Sequence, residues 1–265
     1  VSDALFRLIL KGECLDGRLF PKPGEPPRDG VALQDGEVWM TLAEIDKLPR
    51  EPRLEHAQPH ALRHRRIYAR TRVPRVTVDR LRLSSEIYHT GRVCFAAGCG
   101  LWFGVDWRTP DVSLGKSTVC DVFHQGLSAL SNDGLGGERT SGYGAFTYVR
   151  DEPIALPDAS PGQLGLLLNR YHPSTGETGT ALQGKATAYD LIPVGGWLRT
   201  WDGPAQRRKR LWMVEAGSVI RTTAVPQGDI VDVRPTLEHA GGDLPHPVWR
   251  YGLALAAGLE EVRHA

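Results

Sequence analysis

The chain has 265 residues, 41% of them hydrophobic, and a formal net charge of +1. That length gives one large domain or two smaller ones with a sizeable core, and it excludes disorder throughout. Near-neutrality excludes a globally basic protein, although arginine greatly outnumbers lysine, and a guanidinium suits phosphate and base stacking better than an ammonium does. The cysteines Cys14, Cys94, Cys99 and Cys120 form no C-x-x-C pair or zinc-type spacing, so reduced structural thiols in a cytoplasmic protein are expected, with no metal or cofactor. No apolar run is long enough to cross a bilayer, and no membrane partner is expected.

Ser2 and Asp3 read as the cap of a short helix with Leu5, Phe6, Leu8 and Ile9 on its apolar side, ended by Gly12. The chain starts at Val1 rather than Met, and no strand precedes this helix, so an upstream segment is expected. Phe20-Pro21-Lys22-Pro23, continuing to Pro27, reads as a proline-rich loop. One or two helical turns are expected from Leu42 to Leu48, then a mobile, proline-broken connector over 49–59.

Arg63, Arg65, Arg66, Arg70, Arg72, Arg75, Arg80 and Arg82 follow, opposed only by Asp79. In an extended chain, residues two apart share a face. Arg70 and Arg72 would share one before Pro74 interrupts, and Thr77, Asp79 and Leu81 another after it. This density of arginine suits a phosphate track; a solvated basic loop is the alternative. Residues 92–95 and 100–105 read as two strands around a Gly98-Cys99-Gly100 turn, with aromatics that belong to a core.

Val119, Val122, Phe123, Leu127 and Leu130 recur at helical spacing, and Asn132-Asp133-Gly134 reads as the helix stop. The loop Gly134-Leu135-Gly136-Gly137-Glu138-Arg139-Thr140-Ser141-Gly142-Tyr143-Gly144 comes next, then a strand over 145–149. Consecutive backbone N–H groups in such a loop form an anion-binding concavity, to which Arg139, Thr140 and Ser141 add side-chain donors. The order helix, loop, strand is the reverse of the dinucleotide fingerprint and of the phosphate loop of nucleotide hydrolases. A ligand-free tight turn is the alternative.

Pro153, Pro157 and Pro161 mark a boundary, giving units 1–156 and 157–265. The second reads as strand-rich: 164–168, 186–192, 211–214, 217–220, 229–233 and a closing segment 246–255, with a basic turn at Arg207-Arg208-Lys209-Arg210.

Several segments carry a family resemblance. Gly-Leu-Gly-Gly-Glu-Arg-Thr-Ser-Gly-Tyr-Gly-Ala-Phe resembles the glycine-rich loop of the RAMP superfamily of CRISPR RNA-binding proteins. Ser-Asp-Ala-Leu-Phe at 2–6, and Val-Pro-Arg-Val-Thr-Val-Asp-Arg at 73–80 followed by Ser84-Ser85-Glu86-Ile87-Tyr88, resemble the superfamily's subunit that binds the 5′ end of the guide RNA in type III-A (Csm) complexes. Gly195-Gly196-Trp197, Glu-Ala-Gly-Ser-Val at 215–219 and His-Pro-Val-Trp-Arg-Tyr-Gly-Leu-Ala at 246–254 resemble its second domain, in order; subtype III-B is the near alternative.

The resemblance implies an α+β protein of two ferredoxin-like (RRM-like) units in a RAMP architecture, the first lacking its opening strand. It implies a non-catalytic subunit that caps the 5′ handle of the crRNA in antiviral defence. The implied partners are the large polymerase-like subunit, the backbone RAMP subunit and, indirectly, target RNA. The implied RNA-binding residues are Arg70, Arg72, Arg75, Arg80, Gly136, Gly137, Arg139, Thr140, Ser141, Gly142, Tyr143, Gly144, His246 and Arg250.

Metal-free RNA cleavage would need a general base on the 2′-OH. None of the nine histidines stands in an acid–base pair by spacing: His56, His60 and His64 lie in the arginine-rich region, His124 on the helix, and His172 and His246 before prolines. Asp79 reads as an ion-pair partner for Arg80, and no paired carboxylates suggest a two-metal site. The alternatives are a RAMP endoribonuclease processing CRISPR transcripts and a protein–protein scaffold whose arginines bind acidic surfaces.

Overall fold

The structure is a computed structural model that describes residues 1–20, 22, 29–48, 61–79, 84–198, 205–224, 227–235, 244 and 246–260. The connector expected over 49–59, most of the proline-rich loop, and Arg80 and Arg82 lie outside the described residues. Two compact units are present, Val1–Leu101 with Leu156–Ala265, and Trp102–Ala155, so the first is built from both ends of the chain.

In the first unit, helices α1 (Asp3–Leu10) and α2 (Asp16–Leu19) lead to strands β1 (Gly30–Leu33) and β2 (Val38–Thr41). 3-10 turns at Leu42–Lys47 and Ala61–His64 then precede a long hairpin, β3 (Tyr68–Asp79) and β4 (Ser84–Phe95). The second unit holds the short pair β5 (Ser113–Leu114) and β6 (Ser117–Thr118), helix α3 (Val119–Asp133) and a 3-10 turn at Arg139–Ser141. The chain returns to the first unit with β7 (Leu164–Leu167), α4 (Thr178–Leu182), β8 (Leu191–Val194), β9 (Trp197–Leu198), β10 (Gln206–Arg207) and β11 (Leu211–Val214). It closes with β12 (Val219–Arg221), β13 (Ile230–Asp232), β14 (Trp249–Tyr251) and β15 (Ala256–Leu259). The sheets are small and antiparallel: β12-β7-β15 has three strands, and β1-β2, β3-β4, β5-β6, β8-β11, β9-β10 and β13-β14 are pairs. The class is α+β.

Local chemistry explains the helices. The Ser2 hydroxyl caps α1 by accepting the Leu5 N–H, and Asp3 in the first turn opposes the positive end of the helix dipole. Thr118 and Asp121 form a reciprocal capping box on α3, which stops at Gly134 with φ +86°.

Among the described residues, three apolar clusters lie in the first unit. Val31, Leu33, Met40 and Leu62 fill one. Leu167, Tyr171, Leu182, Val214 and Ile220 fill another. Leu10 of α1 joins Leu166 of β7 and Ala257 of β15 in the third, so the opening helix packs on the C-terminal sheet. A buried carboxylate holds the other side of α1. Glu44, 8% exposed, accepts from Ser2 Oγ at 2.6 Å, Thr41 N at 2.9 Å, Thr41 Oγ1 at 2.8 Å and Ala4 N at 3.3 Å.

Several expected elements differ. Residues 145–149 form no strand, and neither do 100–105. Both carry strand-like sequence, but no described strand pairs with either, and a ladder needs a partner. Pro74 does not interrupt the hairpin: it stands opposite His89 in an unbroken register. Both strands of a two-stranded sheet are edge strands, where proline is tolerated. Expected strand 186–192 begins only at Leu191, with Ala188 making a single bridge to Val219. The last strand, β15, follows the expected closing segment; its Ala-Ala-Gly-Leu sequence has little β-propensity and is ordered by pairing with β7.

Burial raises the Glu44 carboxyl, but the donors from Ser2, Thr41 and Ala4 outweigh it and bring the group down to about 2. A folded-state value below the unfolded 4.5 stabilises the protein above pH 4.5, and the contribution is lost as pH falls towards 2. Glu44→Gln should therefore lower the urea-unfolding free energy by roughly 2–3 kcal/mol at pH 7, and the gap to the unsubstituted protein should shrink markedly by pH 3.

Candidate nucleic-acid interface

The described residues among those singled out in the sequence fall on three surfaces. The first is the β3-β4 hairpin, with twelve consecutive rungs from Tyr68↔Phe95 to Asp79↔Ser84, about 40 Å of ladder. Its register separates two faces. Arg70 and Arg72 lie on one with Val76, Val78, Ile87 and Val93, and all six are exposed. Arg75 lies on the other, opposite Tyr88 and on the same side as Arg92. The three arginines therefore form no single track. Arg70 is laid over the Tyr68 ring at 5.5 Å from the centroid, and neither Arg70 nor Arg72 has an ion-pair partner among the described residues.

The root of this hairpin is held by a turn that the sequence did not flag. The Gln34 side chain, on a buried residue, donates to the Tyr68 carbonyl at 2.9 Å and accepts from the N–H groups of Ile67 at 2.8 Å and Tyr68 at 3.3 Å. Asp35 pairs with His64 and Arg66, both at 2.8 Å, and Glu37 accepts the Tyr68 hydroxyl. The His64 hydrogen bond and the nearby arginines hold the Asp35 carboxyl below its ordinary value. The only sequence signal is the polar run Gln34-Asp35-Gly36-Glu37 between two strands.

The second surface is the glycine loop, in the Trp102–Ala155 unit. Its ends are pinned: Leu135 N donates to Gly144 O at 2.9 Å, and Phe146 N to Ser131 O at 3.0 Å. Glu138 and Gly142, both left-handed, bracket the turn Arg139–Ser141. Ser141, Gly142 and Tyr143 donate inward to Glu138 O or Arg139 O. The N–H groups of Gly136, Gly137, Glu138, Arg139 and Thr140 have no acceptor among the described residues. The side chains of Arg139, Thr140 and Ser141 are exposed, and Arg139 has no ion-pair partner there. The loop thus offers a continuous run of unused donors with a guanidinium beside it, which suits an anion.

The third surface is near the C-terminus of the first unit. His246 is exposed, its Nδ1 3.1 Å from the Pro247 carbonyl. The Arg250 guanidinium donates to Gly195 O at 3.2 Å. Folding also gives His172 a carboxylate that spacing did not show, since its Nδ1 stands 2.6 Å from Asp229 Oδ1, 57 residues away. His124 packs between aromatic neighbours, 6.2 Å from Trp107 and 5.6 Å from Phe123 by ring centroids.

Residues 160–259 match the family described as CRISPR Csm4 C-terminal domain. The chain is similar to Csm4 proteins. The family recognised in the sequence is the one that these matches return, and the Gly-Gly-Trp, Glu-Ala-Gly-Ser-Val and His-Pro-Val-Trp-Arg-Tyr segments all lie inside the matched range. A protein from Mycobacterium tuberculosis named CRISPR system Cms protein Csm4 is 29% identical over 180 residues, covering 67% of this chain and 53% of its own length. Proteins of the same name from Thermococcus onnurineus and Streptococcus thermophilus are 25% and 29% identical, over 92% and 53% of this chain and 76% and 45% of theirs. The chain spans about half the length of the Mycobacterium Csm4 proteins it matches.

A Cβ on Gly144 (φ +82°) would collide with the Leu135 carbonyl, whereas one on Gly137 meets nothing within 4 Å. Gly144→Ala should speed amide exchange across 134–146 at least tenfold, a loss on the order of 1–3 kcal/mol for a strained position. Gly137→Ala should leave that exchange within twofold.

Proposed function

We propose that the chain is a non-catalytic RNA-binding subunit of a type III CRISPR (Csm) complex, serving antiviral defence in the cytoplasm. It holds the 5′ handle of the crRNA and joins the large polymerase-like subunit to the backbone of RAMP subunits, using ferredoxin-like units of the RAMP type. The observation that carries this reading is the run of unengaged N–H groups from Gly136 to Thr140 beside the unpaired Arg139, in a chain related to Csm4. Phosphate oxygens satisfy such donors without any side-chain base reader, which suits a handle held by its backbone. Arg70 and Arg72 supply further unpaired guanidiniums on an exposed face.

The endoribonuclease reading keeps one supporting observation, the His172–Asp229 pair. An aspartate accepting from Nδ1 leaves Nε2 as a base. Cleavage of a repeat-containing transcript by the purified protein, lost in His172→Ala, would favour that reading.

The handle reading predicts that Arg139→Ala combined with Arg70→Ala and Arg72→Ala reduces crRNA retention in the purified complex. It also predicts that the salt slope of RNA binding falls by about 2, from roughly 0.7 per phosphate contact on a single strand. Unchanged retention and slope would remove these residues from the interface.

A further inference from the structure

The Gly195-Gly196-Trp197 turn between β8 and β9 gathers three arginines from later parts of the chain. Trp197 stands directly opposite Arg207 in the β9-β10 ladder, so the two side chains share a face. The Arg207 guanidinium lies 5.0 Å from the indole centroid. Arg208 donates its backbone N–H to Gly196 O at 3.0 Å, and its side-chain Nε is shielded from solvent without an acceptor. Arg250 reaches across from β14 to Gly195 O. None of the three has a carboxylate partner among the described residues. The indole meanwhile remains 57% exposed.

Two features of this cluster call for something from outside. Three cations around one glycine turn repel one another, and no carboxylate among the described residues pairs with them. An indole with a guanidinium on its face is also a flat stack, and a large aromatic left in water gains nothing from the core. An acidic peptide would answer the charge and leave the stack unused. An unpaired nucleotide answers both, because a base stacks on an aromatic ring or on a guanidinium plane while adjoining phosphates take the arginine forks.

We propose that Trp197, Arg207, Arg208 and Arg250 form a binding site for single-stranded RNA. One unpaired base lies on the Trp197–Arg207 stack, and the neighbouring phosphates lie on Arg208 and Arg250. The site rests on the RNA-binding reading above and extends it to Trp197, Arg207 and Arg208.

The test is fluorescence anisotropy of the full chain with a labelled, unstructured 15-nucleotide RNA, with an RNA duplex of equal length as the control. Trp197→Ala should weaken single-strand binding at least fivefold and leave its salt slope unchanged. Trp197→Phe should restore affinity to within about twofold, because a phenyl ring keeps a face on which a base can stack. Arg208→Ala with Arg250→Ala should lower the salt slope by about 1.4, two contacts at roughly 0.7 each. The proposal is overturned if Trp197→Ala binds like the unsubstituted protein, if Trp197→Phe is as weak as Trp197→Ala, or if duplex binding falls by the same factor. It is equally overturned if the substitutions abolish capture of a polyglutamate peptide and leave RNA binding intact. Loss of RNA in the Arg70, Arg72 and Arg139 variant with none in Trp197→Ala would withdraw this site alone. An unsubstituted protein that binds no RNA, free or in its complex, would withdraw the function as well.

Discussion

The buried carboxylate of Glu44 is the joint on which the first unit depends. It collects donors from Ser2, Ala4 and Thr41, and so fixes the start of α1 against the end of β2. Ser2 N reinforces the contact by donating to Trp39 O at 2.8 Å. With that end fixed, α1 buries Leu10 against Leu166 and Ala257, and Glu260 N closes back on Leu10 O at 2.9 Å. Residues more than two hundred positions apart thereby share one core. The β1-β2 layer held in this way also carries the Gln34 turn, which grips Ile67 and Tyr68 and so anchors the arginine hairpin. A chain of specific hydrogen bonds connects an interior carboxylate to an exposed cationic surface.

The same economy explains how a chain of net charge +1 can present strongly basic surfaces. Many of its carboxylates serve as internal acceptors. Burial raises the Glu177 carboxyl, but N–H groups of Gly228 and Ser174 and the Tyr171 hydroxyl pull it below its ordinary value. Asp121 caps α3 and is lowered chiefly by the Thr118 N–H. Asp232, raised by burial, is brought down by Val248 N–H and Arg234. Carboxylates used in this way do not pair with Arg70, Arg72, Arg139, Arg207, Arg208 or Arg250. Formal neutrality is therefore compatible with phosphate binding, and composition alone could not reveal it.

What the sequence disclosed followed the range of each signal. Helix α3 was legible because its period and its glycine stop are both local. The glycine loop was legible as a turn, because five glycines in eleven residues supply the left-handed conformations that Gly134, Gly136, Gly142 and Gly144 adopt. Residues 145–149 carry strand chemistry, yet a strand exists only with a neighbour, and the sequence of one segment cannot supply the other. The Arg70–Arg75 separation depends on a register that runs unbroken through Pro74, which proline chemistry argued against until both strands proved to be edges. The His172–Asp229 and Trp197–Arg207 contacts were illegible for a simpler reason: each joins residues whose closeness is created by strands folding back. The run Arg207-Arg208-Lys209-Arg210 was visible, but the indole that it faces was not.

The central claim is that this chain holds the 5′ end of a guide RNA within a complex. The most direct measurement is to express it with its neighbouring subunits, purify through this chain, and sequence the RNA that accompanies it. The account predicts short RNAs of varied sequence sharing one fixed 5′ end, together with a large subunit and a backbone subunit. Protein partners recovered without RNA, or repeat fragments bound to this chain alone and cut by it, would contradict it.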